Sequence, residues 1–142
     1  PTWWDFLEIV NAYKKRLIRE QEFVLAAFGV TENQSIDAIA STYPTTQRNA
    51  GYTSKYGIEQ ASGHHWTWGE DAGQYGETFS WQNANGGRGQ VYMTSYNTRV
   101  ILGGSRTFGA YSGSRCSLWV NYPWSVNWAV GVRAACDHLM LL

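Results

Sequence analysis

Few residues in this chain could do acid, base or metal chemistry. The sequence holds three histidines, of which His64 and His65 are neighbours and His138 lies near the C-terminal end. A histidine pair invites a metal site, but adjacent residues on a strand point to opposite faces of a sheet. Both imidazoles therefore cannot readily bind one ion, and His138 is the one remaining histidine. We predict no metal site and no bound cofactor.

Two other pairs of residues leave alternatives open. Glu70 and Asp71 could supply carboxylates to a calcium site, but acidic residues also occur where a strand ends in a turn. Cys116 and Cys136 permit a single disulfide, although the sequence alone does not show that their side chains meet. No Ser-His-Asp order, phosphate-binding glycine loop or zinc-ligand spacing occurs in the chain. The sequence therefore predicts no catalytic residues.

The C-terminal third, Gly103 to His138, has the composition of a contact surface. Tyr and Trp offer large, stiff, amphipathic contact area, while Ser, Gly and Asn offer adaptable hydrogen bonding, a mixture typical of diversified binding surfaces. Aromatic side chains also fill the cores of small domains, so core and surface both stay open for each tryptophan. The large aromatic residues of this third are Phe108, Tyr111, Trp119, Tyr122, Trp124 and Trp128.

Length and charge limit the classes of protein. The 142 residues suit one domain, residues 1–142, with a single core. Eleven basic residues balance eleven acidic ones without a basic stripe, which argues against a nucleic-acid partner. No apolar run approaches the roughly 18 residues that insert into a membrane. The chain begins PTWWDF without Met, and we expect it to be a C-terminal piece of a longer protein.

Helical periodicity is strongest near the N-terminus. Thr2 and Asp5 have the spacing of a helix cap, and the residues that follow predict a first amphipathic helix. A second helix is predicted over Glu20 to Phe28, with Gly29 as its C-terminal cap. The run Lys14 to Arg16 is interpreted as a solvated helix end. The apolar face of the first helix comprises Trp3, Phe6, Leu7, Val10 and Tyr13.

The remainder predicts short antiparallel strands joined by long loops. Alternation at His64, Trp66 and Trp68 favours a half-buried strand. Low periodicity predicts loops over Val30 to Lys55 and Asp71 to Gly89. Further strands are predicted over Gln90–Tyr92, Arg99–Leu102 and Trp128–Cys136. The predicted fold class is α+β, with both helices near the N-terminus.

Three motifs together resemble the C-type lectin fold, in the version shared by formylglycine-generating enzymes and the variable proteins of diversity-generating retroelements. Arg16-Leu17 followed by Glu20, Glu22 and Phe23 is similar to the family pattern RLPTEAEW, although Ile18 and Arg19 replace its capping Pro-Thr. The stretch YGI at 56–58 with SGHHWTW at 62–68 resembles FGLxDMxGNVWEW. The tail from Val100 onward resembles the variable region of phage receptor-binding proteins that determine tropism, in its residues Gly113-Ser114-Arg115, Trp119, Pro123-Trp124, Trp128, Gly131, Arg133 and Cys136-Asp137-His138-Leu139.

The resemblance implies which positions vary. In this family an error-prone reverse transcriptase rewrites template adenines, so that AAC or AAT codons become any codon ending in a pyrimidine. Trp cannot arise in this way, and the resemblance therefore implies that Trp119, Trp124 and Trp128 are scaffold. The implied variable, ligand-binding positions within about 103–138 are Thr107, Phe108, Ala110, Tyr111, Cys116, Leu118, Val120, Asn121, Tyr122, Ser125, Val126, Asn127 and Ala129.

The resemblance also implies a function. We expect a phage or cell-surface adhesin domain, located on a virion tail or cell surface, that binds a protein or glycan receptor without inserting into a membrane. A parent fibre could make it oligomeric, but the sequence does not define an oligomeric state. One alternative is an oxidase like the formylglycine-generating enzymes, which need copper and two cysteines four residues apart. Here Cys136 follows Cys116 by 20 positions, and Cys116 is interpreted as an unpaired product of diversification. The other is an undiversified sugar-binding lectin, whose calcium-binding EPN and WND triplets are absent.

Overall fold

The computed structural model describes residues 1–36, 49–75, 80–83, 90–93 and 96–137. These residues form two α-helices and eight strands, which confirms the α+β fold class. Two short 3-10 turns, Ala50–Tyr52 and Gly109–Tyr111, lie in the connections. The elements in chain order are α1 (Trp3–Ala12), β1 (Arg16–Leu17), α2 (Glu20–Ala26), β2 (Trp66–Tyr75), β3 (Ser80–Asn83), β4 (Gln90–Met93), β5 (Tyr96–Leu102), β6 (Ser117–Asn121), β7 (Val130–Val132) and β8 (Ala134–Ala135).

Helix α1 begins at the predicted cap. The Thr2 hydroxyl accepts from the Asp5 N–H at 3.2 Å, and the Asp5 carboxylate accepts from the Thr2 N–H at 2.6 Å. Trp3 and Val10 are buried, as the periodicity predicted. Tyr13 does not share their face: the helix ends at Ala12, and the Tyr13 side chain is 74% exposed. The following residue has a left-handed φ of 54°, which turns the chain away from the helix axis.

Helix α2 is capped by one local carboxylate and by one from another part of the chain. The predicted loss of a local cap is confirmed at Arg19, whose side chain makes no capping hydrogen bond. Instead the Glu22 carboxylate accepts from the Arg19 N–H at 3.0 Å, and the carboxylate of Asp71, on β2, accepts from the Glu20 N–H at 2.7 Å. At the other end, α2 stops at Ala26 with Ala27 as its cap, so the predicted end at Phe28 is wrong, although Gly29 has the predicted positive φ of 93°.

The run Lys14 to Arg16 was interpreted as a solvated helix end, but this is wrong for Arg16. The Arg16 side chain is 16% exposed and binds the carboxylates of Glu22 at 2.5 Å and Asp137 at 2.7 Å. It lies on β1, which pairs with β8 through Arg16 and Ala135. Arg16 therefore joins α2 to the C-terminal end of the described chain.

The main sheet has four strands in the order β6-β5-β2-β7. Strand β2 pairs antiparallel with β5, as Thr67 lies opposite Leu102, but it pairs parallel with β7. The expectation of purely antiparallel strands is therefore wrong at β7. Because β2 has a neighbour on each side and packing on both faces, Thr67 is buried together with Trp66 and Trp68. The prediction of a half-buried strand is wrong for this segment.

Several strand boundaries differ from the predicted ones. The expected loop 71–89 contains the second half of β2 and all of β3, and strand β6 was not predicted. The expected closing strand 128–136 is two short strands, β7 and β8, which pair with different partners. The predicted strands Gln90–Tyr92 and Arg99–Leu102 are confirmed as parts of β4 and β5. Of the predicted loop 30–55, residues 37–48 lie outside the described part.

Two apolar clusters lie on opposite faces of the main sheet. Alternation along β5 directs Ile101 to one cluster and Val100 and Leu102 to the other. Trp3 places α1 on the Ile101 face, and Phe23 places α2 on the opposite face. The order of layers is therefore helix, sheet, helix, and the C-terminal loops emerge from this rigid frame.

No helix in the described part of the chain is both long enough and apolar enough to cross a membrane.

Candidate functional site

The C-terminal loop begins with a reversal at the end of β5. Gly103 and Gly104 both have left-handed φ angles, 89° and 82°, which side chains rarely adopt. A Cβ on Gly104 would lie 2.8 Å from the Cα of Ser112, closer than atoms pack. Gly103 donates its N–H to the Cys116 carbonyl at 2.8 Å and accepts from the Gly113 N–H at 3.2 Å. The loop over residues 105–116 is thereby folded back onto the sheet edge.

A second segment, residues 31–36, braces this loop from the outside. The Asn33 N–H donates to the Ser112 carbonyl at 2.8 Å, and the Ser35 hydroxyl donates to the Arg106 carbonyl at 2.6 Å. The Glu32 carboxylate accepts from the Ser114 N–H at 2.9 Å. Sequence patterns did not predict these braces, because about 70 to 80 residues separate the partners. They hold the loop at a fixed place on the frame.

The structure exposes many of the side chains predicted to bind ligand. Tyr111 is 80% exposed, Val126 69%, and Val120 and Phe108 a little under two fifths. The smaller side chains of Thr107, Ala110 and Asn127 are also exposed. Half-buried positions are Cys116, Leu118, Asn121, Tyr122 and Ser125.

Ala129 differs from the other predicted positions because it is buried. Its carbonyl accepts from the Trp66 N–H at 2.9 Å, and its own N–H donates to the Asn127 side chain at 2.8 Å. The methyl group therefore lies beneath the surface that its neighbours form. We define the recognition surface as the exposed and half-buried predicted positions together with Trp124 and Trp128.

Two of the three tryptophans expected to support the scaffold lie on this surface instead. Trp119 is half-buried, packs against the α2-side cluster and donates its indole N–H to the Ser117 hydroxyl at 3.1 Å. Trp124 and Trp128 are each 63% exposed. The expectation of a core-supporting role is therefore confirmed for Trp119 and wrong for Trp124 and Trp128.

Both exposed tryptophans are oriented by a neighbour. The ring of Trp124 stacks on Tyr122 with centroids 5.0 Å apart and planes 3° from parallel. The Arg106 guanidinium lies 5.4 Å from the centre of the Trp128 ring, within the range of a cation–π contact. These contacts hold two large flat side chains in fixed orientations, which lowers the entropy lost when a partner binds.

A shallow depression of about 450 Å³ opens between the two ends of the loop. Its inner wall is Trp66, a buried residue of β2, whose ring meets the edge of Phe108 at 4.9 Å and 78°. Arg115 is the cationic residue in the lining of this depression. The depression can take an apolar side chain, since the lining residues are Trp66, Phe108, Tyr111, Arg115, Cys116, Ser117 and Leu118.

Both cysteines are free thiols. Burial raises the pKa of the Cys116 thiol to about 11, so that it is protonated at neutral pH. Cys136 is exposed beyond β8. The sequence left open whether Cys116 and Cys136 form a disulfide, and the structure shows that they do not. Cys116 is an apolar lining residue of the depression.

Of the residues that suggested metal chemistry, the two carboxylates have structural partners and the two histidines are buried or half-buried. His64 is buried, whereas His65 is half-buried beside Arg106, and burial followed by this positive charge lowers the pKa of His65. The Glu70 carboxylate binds Arg19 at 2.8 Å, and Asp71 caps α2. Within the described ranges, no group of three or more His, Cys, Asp or Glu side chains could hold a metal ion. His138 lies outside those ranges.

The helix–sheet–helix frame with an exposed C-terminal loop surface is a C-type lectin fold. Solved structures of the Major Tropism Determinant match this chain with a TM-score of 0.77: the M1 variant is 34% identical and the I1 variant 36% identical. Each match covers 99% of this chain and 38% of the other.

A curated protein is similar to this chain in its amino-acid sequence. The tail fiber receptor-binding protein of Bordetella phage BPP-1 is 37% identical over 148 aligned residues, which cover 98% of this chain. The chain spans 38% of that protein's length. No family model matches the chain. The resemblance to phage tropism determinants, predicted from the three motifs, is confirmed.

Proposed function

We propose that this chain is the receptor-binding domain of a phage tail fibre and that a retroelement diversifies its C-terminal surface. The observation that carries the proposal is the exposure of large apolar side chains on two C-terminal loops, residues 105–116 and 122–129. Tyr111, Trp124, Val126 and Trp128 are each more than 60% exposed. Contiguous exposed apolar groups mark interaction sites, and binding residues are typically loop residues on a rigid scaffold.

The predicted variable positions supply the contacts of this surface. Tyr111, Phe108 and Tyr122 offer aromatic area, and Thr107, Asn121, Ser125 and Asn127 offer hydrogen bonds that can be exchanged by mutation. Ala129 does not contact the receptor directly, because its side chain is buried. The braces at Glu32 and Ser35 lie outside the diversified segment, so the loop can vary in side chains while its backbone path is maintained.

The receptor that fits best is a protein on a bacterial cell surface. Exposed aliphatic groups, Val120 and Val126, gain more from an apolar protein partner than from a sugar. The depression beside Trp66 suits one apolar anchor side chain, and Arg115 at its rim suits an acidic neighbour of that anchor. A glycan receptor is the second candidate, favoured by the stacked and exposed pair Tyr122–Trp124.

A tail location follows from the proposed role, and modest single-site affinity would be raised by several copies on a fibre. No contribution from a metal or cofactor is invoked. The chemistry is burial of apolar surface and hydrogen bonding at a preformed surface.

Two experiments test the proposal. Sequencing the flanks of the gene should reveal a near-copy of the codons for residues 103–138 that differs at adenines, beside a reverse-transcriptase gene; its absence would contradict diversification. Fluorescently labelled protein is then tested on a panel of bacteria by flow cytometry. Tyr111→Ala should reduce binding at least tenfold, whereas Tyr56→Ala, equally exposed but outside the recognition surface, should not.

The same binding assay identifies the class of receptor. Protease treatment of the cells should abolish binding if the receptor is a protein, whereas mild periodate should abolish it if the receptor is a glycan. Equal binding by Tyr111→Ala, Trp128→Ala and the unmodified protein would overturn the assignment of the surface.

A further inference from the structure

A second concave site lies outside the recognition surface, beside α2 and the turn that leads from Ile58 to Ala61. It encloses about 440 Å³, within the roughly 300 to 1,000 Å³ of small-molecule sites. Ile18, Phe23 and Val132 are among its mostly apolar lining residues. None of the described residues that line it is a predicted ligand-binding position, so receptor recognition does not account for it.

Two cations line this apolar pocket, Lys15 and Arg133. The Arg133 Nη2 donates to the carbonyls of Glu59 at 2.6 Å and Gln60 at 2.9 Å, which fixes the guanidinium at the pocket wall. Burial lowers the pKa of Arg133, and the ion pairs found within the described ranges do not include it. The partly desolvated guanidinium of Arg133 therefore lines an apolar cavity, and the two backbone carbonyls offset part of its lost hydration.

Two carboxylates on the adjoining elements bind Arg16, and Glu59 of the adjoining turn contacts Arg133 through its carbonyl. Glu22 on α2 and Asp137 after β8 both bind Arg16, at 2.5 and 2.7 Å. Glu22 and Asp137 therefore do not neutralise Lys15 or Arg133, whose positive charges can attract an incoming anion. The pocket thus has mostly apolar lining residues and two cations at its wall. This combination disfavours neutral ligands and strongly hydrophilic ligands.

We propose that this pocket binds a small organic carboxylate with an apolar body, a medium-chain aliphatic acid or an aryl-substituted acid. The apolar body lies against Ile18, Phe23 and Val132, and the carboxylate is held by Lys15 and Arg133. The inference is independent of the receptor-binding proposal, because the two sites share no lining residue.

Octanoate, titrated into the ¹⁵N-labelled protein at low salt, tests the site. Amide signals of Ile18, Ala26, Ala61 and Val132 should shift together with one saturation curve. Octanamide, of equal length but neutral, should bind about tenfold more weakly because it forms no charge-assisted hydrogen bond. Lys15→Gln should weaken octanoate binding about threefold, as expected for an exposed cation.

Lys14→Gln is the matched control, since it removes an adjacent exposed charge that does not line the pocket. Ala26→Trp should abolish binding by filling the cavity, and Trp128→Ala should leave it unchanged. Octanamide binding as tightly as octanoate, no shifts up to the solubility limit, or equal losses in Lys14→Gln and Lys15→Gln would each overturn the proposal.

Discussion

The Glu32 carboxylate binds both the backbone N–H and the hydroxyl of Ser114, at 2.9 and 2.5 Å, and so ties the N-terminal half of the chain to the loop of the recognition surface. The contact spans 82 residues. Gly113, beside it, is buried, and its position leaves no space for a larger residue against Glu32. Glu32 is therefore a positioning residue for the turn over 112–115.

Glu32→Gln should loosen that turn without unfolding the protein. Replacing a charged acceptor removes a charge-assisted hydrogen bond, with a cost of about 1 kcal/mol at this partly exposed position. Hydrogen exchange at the Ser114 amide should become faster, and receptor binding should weaken. Glu8→Gln, on the exposed side of α1, is the control and should change neither quantity. Unchanged exchange at Ser114 in Glu32→Gln would contradict the positioning role.

Trp68→Ala should destabilise the protein much more than Trp128→Ala. Trp68 is 1% exposed at the centre of β2, and its removal should cost about 3–5 kcal/mol in free energy of unfolding. Trp128 is 63% exposed, so its removal should cost about 1 kcal/mol or less, mostly through its contact with Arg106. Urea denaturation gives both values. A loss at Trp128 as large as that at Trp68 would show that Trp128 supports the core.

Acid should destabilise the protein partly through Glu22. The hydrogen bond from Arg16 lowers the pKa of Glu22 from 4.5 to about 2, so the charged form is favoured by folding. This stabilisation is present in full above pH 4.5 and is lost as the pH falls towards about 2. Because the Glu22 side chain is 38% exposed, solvent screening limits it to about 1 kcal/mol.

Glu22→Gln should therefore be less stable than the unmodified protein at pH 6 and nearly equal to it at pH 2. Urea denaturation at a series of pH values measures the difference. A gap between the two proteins that stays constant from pH 6 to pH 2 would refute the ion-pair account. Glu8→Gln should track the unmodified protein throughout.

The two cysteines should react at different rates. The pKa of Cys116 is raised from 9.0 to about 11 by burial, so at pH 8 its thiolate fraction falls by roughly 100-fold relative to an unperturbed thiol. Cys136 is exposed. Iodoacetamide should therefore label Cys136 first in the native protein and both residues equally in urea, as mass spectrometry of peptides will show. A disulfide-linked peptide pair under non-reducing conditions would contradict the free-thiol state.

Local patterns were sufficient for several elements. The cap at Thr2 and the apolar spacing of Trp3 and Val10 predicted α1, because helix capping and side-chain periodicity depend on residues within a few positions of one another. The positive φ of Gly29 was predicted for the same reason, although α2 ends earlier than predicted, at Ala26. The motifs around Arg16, residues 62–68 and the tail were sufficient for the fold class, which the matches to the tropism determinants confirm.

Other features depended on which strands become neighbours. Strand β6 and the parallel pairing of β2 with β7 were missed, since pairing is set by contacts between distant segments. Tyr13 was misplaced because the helix ends one residue earlier, which periodicity alone does not show. Thr67 was expected at a solvated face, but a central strand with packing on both sides buries it.

The sequence by itself determined the class of the protein and pointed to the C-terminal segment as the proposed recognition region, because composition and motif spacing are properties of the chain. The tertiary structure alone decided which side chains of that segment are exposed. Trp119, Trp124 and Trp128 are chemically identical, yet one packs against the core and two lie exposed. Exposure is set by long-range contacts, such as the 3.0 Å bond from the Trp3 N–H to the Pro123 carbonyl beside Trp124, and such contacts exist only once the chain is folded.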